Sequence, residues 1–349
     1  MDRRRFIAGA VASALVPVGA ESAVPSLRAL GLAKGIDIGT AVGETASTGL
    51  LSIIQEHCTL ITPEWQLKPR FLKPRSEGDY NFRPADEIAR LAAINGQKLH
   101  GHSLFWHKQN ISWAERGRPE SVKERYGAFI RSVVGRYPEA VSWDVFNEII
   151  PHPGAARFGS TVDRLGIDFV DFCFRAAREA SPGAVLALND HSLECAGDWC
   201  GSKQTNALRL LEGLLKRGVP VGAVGLQAHL SSEWIPWARS AAGFVRRLGE
   251  LGLEVYLSEL DVDDSRLTAR PVTRDLQVAV YYRDFLGPLL DQRALKRIVF
   301  WGISDSHHWM VREHKGGGRR PRPALFDETG RPKPAFEAVR RALAQAPAR

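Results

Sequence analysis

Val141-Ser142-Trp143-Asp144-Val145-Phe146-Asn147-Glu148 is a short run of β-branched and aromatic residues that stops on an amide and a carboxylate. It is too short for a buried helix, so it reads as a core strand with charge at its C-terminal tip. The same design recurs at residues 35–42 (GIDIGTAV), 60–64 (LITPE), 98–106 (KLHGHSLFW), 184–190 (AVLALND), 223–230 (AVGLQAHL), 254–261 (EVYLSELD) and 298–305 (IVFWGISD). Between these runs lie stretches with apolar residues at spacings of three and four, such as 122–134, 169–180, 207–215 and 241–251. Strand and helix alternate eight times, which predicts a single (β/α)8 TIM barrel over residues 30–345, with an open doubly wound sheet as the alternative. The barrel is preferred because Glu64, His102, Glu148, Asp190, His229, Glu259 and Asp305 fall at or near the C-terminal ends of the runs. That face is where barrels carry their chemistry.

The 349 residues are 44% apolar and 25% charged, enough for a large packed core and unlike collagen-like, low-complexity or coiled-coil chains. The net charge of +8 raises nucleic acid as a partner, yet residues 312–349 hold ten Lys/Arg against four Asp/Glu and account for most of the excess. Without interleaved aromatics or a nucleic-acid module, that segment reads as a solvated basic face, and no nucleic-acid partner is expected. Four cysteines without a CxxC pair or paired histidines predict no metal site, and without a GxGxxG fingerprint no cofactor is expected.

At the N-terminus, Arg3-Arg4-Arg5 precedes a weakly hydrophobic stretch of small residues and a Val18-Gly19-Ala20 triplet. This reads as a twin-arginine export signal over residues 1–23, whose removal leaves a periplasmic or secreted monomer with no membrane attachment. In such a compartment Cys195 and Cys200 are close enough in sequence to close a small loop, although spacing leaves their oxidation state open. Cys58 and Cys173 lie on apolar segments and are expected as buried free thiols.

Glycoside hydrolysis needs two carboxyls flanking one bond, one protonated to donate to the leaving oxygen and one ionised to attack the anomeric carbon. Glu148 and Glu259, the latter in Leu257-Ser258-Glu259-Leu260-Asp261, end the fourth and seventh predicted strands and can meet across a barrel mouth. Five segments then carry a resemblance in order and spacing: His100 to Gln109 (HGHSLFWHKQ), Trp143 to Glu148, Gly225 to Leu230 (GLQAHL), Ser258 to Asp261, and Trp301 to Asp305 (WGISD). Over roughly residues 35–340 the chain resembles family 10 glycoside hydrolases, whose typical activity is endo-1,4-β-xylanase.

The resemblance implies a retaining double displacement on xylan or xylo-oligosaccharide, with Glu148 as general acid/base and Glu259 as nucleophile. Chemically, Glu148 then needs a raised pKa, whereas Glu259 needs hydrogen bonds that keep it ionised. His229, oriented by Asp261, is the expected donor to Glu259. Asn147 resembles the family's donor to the sugar 2-hydroxyl, and Gln227 is expected beside the two glutamates. Glu64, Lys68, His102, Trp106 and Gln109 resemble the glycone-side binding set, and Trp301 and Trp309 the aromatic walls, which suit the apolar C–H faces of sugars. A β-glucan or an aryl β-glycoside is the alternative substrate on the same scaffold. A noncatalytic carbohydrate-binding barrel is the remaining reading, and the presence of both glutamates argues against it.

The chain departs from the family pattern at four places. Trp65 follows Glu64 where the family usually has Asn, and the indole is expected to block part of the cleft. Asn189-Asp190-His191-Ser192 stands where Asn-Asp-Tyr-Asn is common, Ile111 replaces a proline, and His308 replaces a serine.

Overall fold

The computed structural model describes residues 24–43, 47–73, 80–152, 160–231, 238–316 and 318–349. The export signal expected over residues 1–23 lies outside them. Nine strands run in one direction: β1 (Asp37–Val42), β2 (Leu60–Pro63), β3 (Lys98–His102), β4 (Ala140–Asn147), β5 (Val185–Asp190), β6 (Ala223–Leu226), β7 (His229–Ser231), β8 (Glu254–Asp263) and β9 (Leu295–Phe300). Each pairs in parallel with its neighbour in sequence from β1 to β6, and β9 pairs with both β1 and β8. Pairing of β6 with β8 closes the ring. The expected barrel is therefore the observed one, with eight strands in the wall and β7 as a three-residue continuation of β6 along β8.

The strands are buried on both faces, as a parallel sheet wrapped in helices requires. Trp143 on β4 is fully buried, and Gly101 on the adjacent β3 lies so close that a Cβ there would collide with the indole ring. Proline opens several of the helices, including Pro119–Arg136, Pro271–Leu290 and Pro334–Gln345, at the one position where the missing N–H costs nothing.

Two predicted strands differ in extent. The run 98–106 ends as a regular strand at His102, although the Leu104 N–H still donates to the Asp144 carbonyl and the Asn147 N–H to the Phe105 carbonyl, each at 2.9 Å. An isolated bridge, Trp106 to Asn147, follows. The run 298–305 instead starts at Leu295 and stops at Phe300, where Gly302 turns the chain with a φ of 117° that a side chain would resist. Asp305 consequently lies beyond the strand and is buried against the Lys333 ammonium at 2.9 Å, a structural pair rather than a group in the mouth.

Candidate active site

The strand tips converge through local irregularities. Glu148 follows β4 in a left-handed conformation (φ 58°), and its N–H donates to the Asn189 carbonyl at 2.8 Å. Ala228, between β6 and β7, is left-handed too (φ 59°) and turns Gln227 toward the mouth. On β8 the register against β9 shifts between Leu257 and Leu260, so Ser258 and Glu259 leave the regular ladder. Irregular pairing of this kind re-aims side chains that a strictly alternating strand would send elsewhere.

Glu259 is almost fully buried, and its two oxygens are separately held. Oε1 accepts from Asn189 Nδ2 at 2.7 Å, and Oε2 lies 3.2 Å from His229 Nε2. The other ring nitrogen of His229 is 2.8 Å from Asp261 Oδ1, and Asp261 Oδ2 accepts from the Trp309 indole N–H at 2.8 Å. Burial alone would lower the His229 pKa, but Asp261 and Glu259 outweigh it and raise it well above the ordinary value. Burial likewise pushes Glu259 up, yet its bond to His229 and the positive field of His102, His229 and Lys68 bring the net shift below the usual carboxylate value. The expected relay from Asp261 through His229 to Glu259 is present.

Glu148 behaves differently from the expectation. Its Oε1 accepts from Gln227 Nε2 at 3.3 Å, while Oε2 pairs with the Lys108 ammonium at 2.7 Å. Burial raises the Glu148 pKa, but Lys108, the Trp106 indole and Gln227 together prevail and hold it down at about 2. In the free protein this carboxyl is held in its ionised form beside a lysine, the reverse of the raised pKa expected from the sequence. Asn147 lies between the glutamates: its Oδ1 accepts from Asn189 at 3.0 Å and Gln227 at 3.2 Å, which turns the amide N–H side toward a ligand.

The remaining predicted residues line one side of the mouth. Lys68 is buried with its ammonium 4.6 Å from the Trp106 ring centroid and 5.9 Å from that of Trp301, in the field of Glu259, Glu64 and Glu148. His102 packs edge-on to Trp301 at 5.1 Å, and its Nδ1 is 2.8 Å from Asp144, whose carboxyl is held well below its usual value against burial by His100 and His102. Gln109 shares the short turn His107–Gln109 with Lys108, half-buried, with its Oε1 enclosed and unbonded. Glu64 is ion-paired with Arg312, which also donates to the His307 carbonyl at 2.5 Å.

Trp65, expected to block part of the cleft, is anchored beside Gly43. Its indole N–H donates to the Gly43 carbonyl, and the ring packs on Phe71 at 5.0 Å, along an outer groove shared with Pro84, Glu87 and Ile88. Sequence reasoning also missed Asn189, Asp144, Lys108 and Arg312 as parts of the site. Asn189 was recoverable as the last amide of a strand tip, but no spacing rule points to the other three.

The glycosyl hydrolase family 10 model matches residues 26–342. The chain belongs to glycosyl hydrolase family 10. It is 31% identical to a β-1,4-xylanase of Dictyoglomus thermophilum, over 86% of each chain. It is also 31% identical to an endo-1,4-β-xylanase of Geobacillus stearothermophilus, over 90% of this chain and 98% of that one. The crystal structure of xylanase 10B from Thermotoga petrophila RKU-1 in complex with xylobiose superposes with a TM-score of 0.82 at 29% identity, covering 91% of this chain and 97% of that chain.

Proposed function

We propose that this family 10 hydrolase is a retaining endo-1,4-β-xylanase in which Glu259 is the nucleophile and Glu148 the acid/base. The observation that carries the residue roles is the unequal treatment of the two carboxyls. Glu259 is fixed at both oxygens inside the wall by Asn189 and His229, whereas Glu148 meets the exposed Lys108 ammonium beside Gln227 and the Trp106 indole. A nucleophile must be aligned and ionised before substrate arrives; an acid/base must exchange a proton twice per turnover. Glu259 attacks the anomeric carbon as Glu148, in the protonated fraction that the pH supplies, passes its proton to the leaving oxygen. Glu148 then takes a proton from the water that releases the glycosyl group from Glu259. Asn147 binds the sugar 2-hydroxyl, and Lys68, Glu64, Trp106 and Trp301 hold the glycone.

Parallel reducing-sugar assays on xylan, carboxymethylcellulose and mixed-linked β-glucan test the substrate, with xylan expected to dominate. Proton NMR of early products tests the mechanism. The β anomer is expected first, because a retaining pair about 5 to 5.5 Å apart leaves no room for a water between the carboxyls. Initial appearance of the α anomer would overturn the double displacement.

The Lys108 contact makes a separate pH prediction. In a two-carboxyl reaction the alkaline limb of kcat/KM follows the acid/base pKa of the free enzyme. Removing the cation destabilises the Glu148 carboxylate, so its pKa rises and the acid survives to higher pH. Lys108→Ser should move that limb upward by about one unit or more, the scale expected for a charge at this distance. A limb that stays in place, or moves down, contradicts the assignment of Glu148 as the acid.

The disulfide between Cys195 and Cys200 supports export to an oxidising compartment. Fractionation of cells producing the full-length chain, before and after replacement of Arg4 and Arg5 by Lys, tests that localisation.

A further inference from the structure

Beneath the mouth, the barrel interior carries polar side chains where such layers are ordinarily filled by branched apolar ones. His100 and His102 lie two apart on β3 and share one face of it, and Ser142 and Asp144 stand opposite them on β4. Arg297 comes from β9, across the ring from β4, so its contact with Ser142 passes through the interior. All of these side chains are buried.

Their hydrogen bonds run in one direction. Arg297 Nη1 donates to Ser142 Oγ at 2.7 Å and lies 3.3 Å from His100 Nδ1. Arginine offers no acceptor, so the Ser142 hydroxyl turns its own proton to His100 Nδ1, 2.8 Å away. His100 Nδ1 is therefore bare, and the ring proton sits on Nε2, 3.0 Å from Asp144 Oδ2. That same oxygen lies 2.8 Å from His102 Nδ1 and, as part of an ionised carboxylate, can only accept from it. The remaining neighbour of His100 is Tyr256, edge-on with ring centroids 6.3 Å apart and itself covered by the Arg297 guanidinium at 4.1 Å. Burial lowers the His100 pKa against the pull of Asp144, and the charges of Arg297 and His102 add to the lowering, in keeping with a neutral ring. Buried charges of this kind are weak contributors to stability, since apolar replacements often serve a fold as well. What sets this chain apart is where it ends: His102 packs edge-on to Trp301 at the catalytic mouth.

We propose that Arg297, Ser142 and His100 are positioning residues for His102. Hydrogen bonds that begin at Arg297 fix the proton of His100 and bring two donors to one oxygen of Asp144, which holds His102 by Nδ1 and leaves Nε2 for a substrate hydroxyl. The proposal rests on the xylanase reading, which places a sugar against His102, and extends the site to residues that touch no substrate.

The test combines kinetics with proton positions, both on the full-length protein. Ser142→Ala removes a single oxygen and should lower kcat/KM for 4-nitrophenyl β-xylobioside, whose sugars lie on the glycone side, by about fivefold, the scale of one hydrogen bond. Arg297→Met should lower it further. His102→Phe keeps a ring against Trp301 but has no nitrogen to hold, so in that background each substitution should change kcat/KM by less than about twofold. Effects that persist undiminished there would mean a general packing role and would overturn the proposal. NMR of protein labelled at the histidine ring nitrogens reads the protons without any turnover. The parent should carry them on His100 Nε2 and His102 Nδ1, and Arg297→Met should place a proton on His100 Nδ1. The opposite tautomer at either ring of the parent, or a His100 unchanged in Arg297→Met, would overturn the chain of donors. A parent that leaves the aryl xylobioside intact would overturn the xylanase reading instead, while the proton positions still decide the chain.

Discussion

Glu259→Ala is expected to abolish turnover of xylan, xylo-oligosaccharides and aryl xylobiosides alike, with a loss of at least about four orders of magnitude, roughly 5.5 kcal/mol of transition-state stabilisation. Glu259 is the carboxyl held by Asn189 at 2.7 Å and by the raised-pKa imidazole of His229, and without it no glycosyl-enzyme can form. Glu148→Ala should look different. Substrates with good leaving groups need no proton to depart, so the aryl xylobioside should still glycosylate Glu259, and the intermediate should then accumulate for want of a base. Added azide should attack it directly and restore turnover, yielding a β-glycosyl azide. Pre-steady-state release of nitrophenol together with azide rescue is the measurement that checks the division of labour. Equal, unrescued inactivity of the two variants would contradict it.

The same two glutamates show where the sequence was informative. Their place at strand tips was legible because a parallel barrel strand is a short apolar run, and charge at its end has few uses apart from the mouth. The Asp261–His229 relay came from the resemblance, whose motifs set Asp261 two residues after Glu259 and His229 two after Gln227. Lys108 was not legible. It sits on a turn after β3 and reaches Glu148 on the neighbouring strand, a distance that no sequence spacing encodes. Its presence reverses the direction of the Glu148 shift from the one that a bare carboxyl pair would suggest. Trp65 misled for another reason. The Gly43 carbonyl captures its indole, and Arg312 reaches the preceding Glu64 from the far end of the chain, contacts that no spacing encodes. The strand limit at Phe300 turns on the left-handed Gly302, and that at His102 on backbone pairing, features that composition does not carry.

Asp190 was expected at a strand tip as well, and there it ties the end of β5 to the segment that follows Glu148. Its Oδ1 takes the Lys203 ammonium at 2.6 Å and the His191 N–H at 2.9 Å, while Oδ2 takes the Ile150 N–H at 2.8 Å, two residues from Glu148. Both partners of the pair are buried, with side-chain exposures of 0% for Lys203 and 1% for Asp190. Lys203→Met should destabilise the fold by about 3 to 5 kcal/mol, since it leaves a buried carboxylate without its counter-ion. Lys203→Met combined with Asp190→Asn should cost less than Lys203→Met alone, because the orphaned charge goes with its partner. The pH dependence has a definite sign. Burial raises the Asp190 pKa to about 6 even against Lys203, and loss of the lysine raises it further. A carboxyl whose folded pKa exceeds its unfolded value near 3.8 binds more protons in the native state, so its contribution is complete below the unfolded value and is lost as pH rises through the folded one. Lys203→Met should therefore be less destabilised at pH 5 than at pH 8 when urea unfolding is measured at both. A deficit that is equal at the two pH values, or larger at pH 5, would mean that Asp190 is not the group left uncompensated.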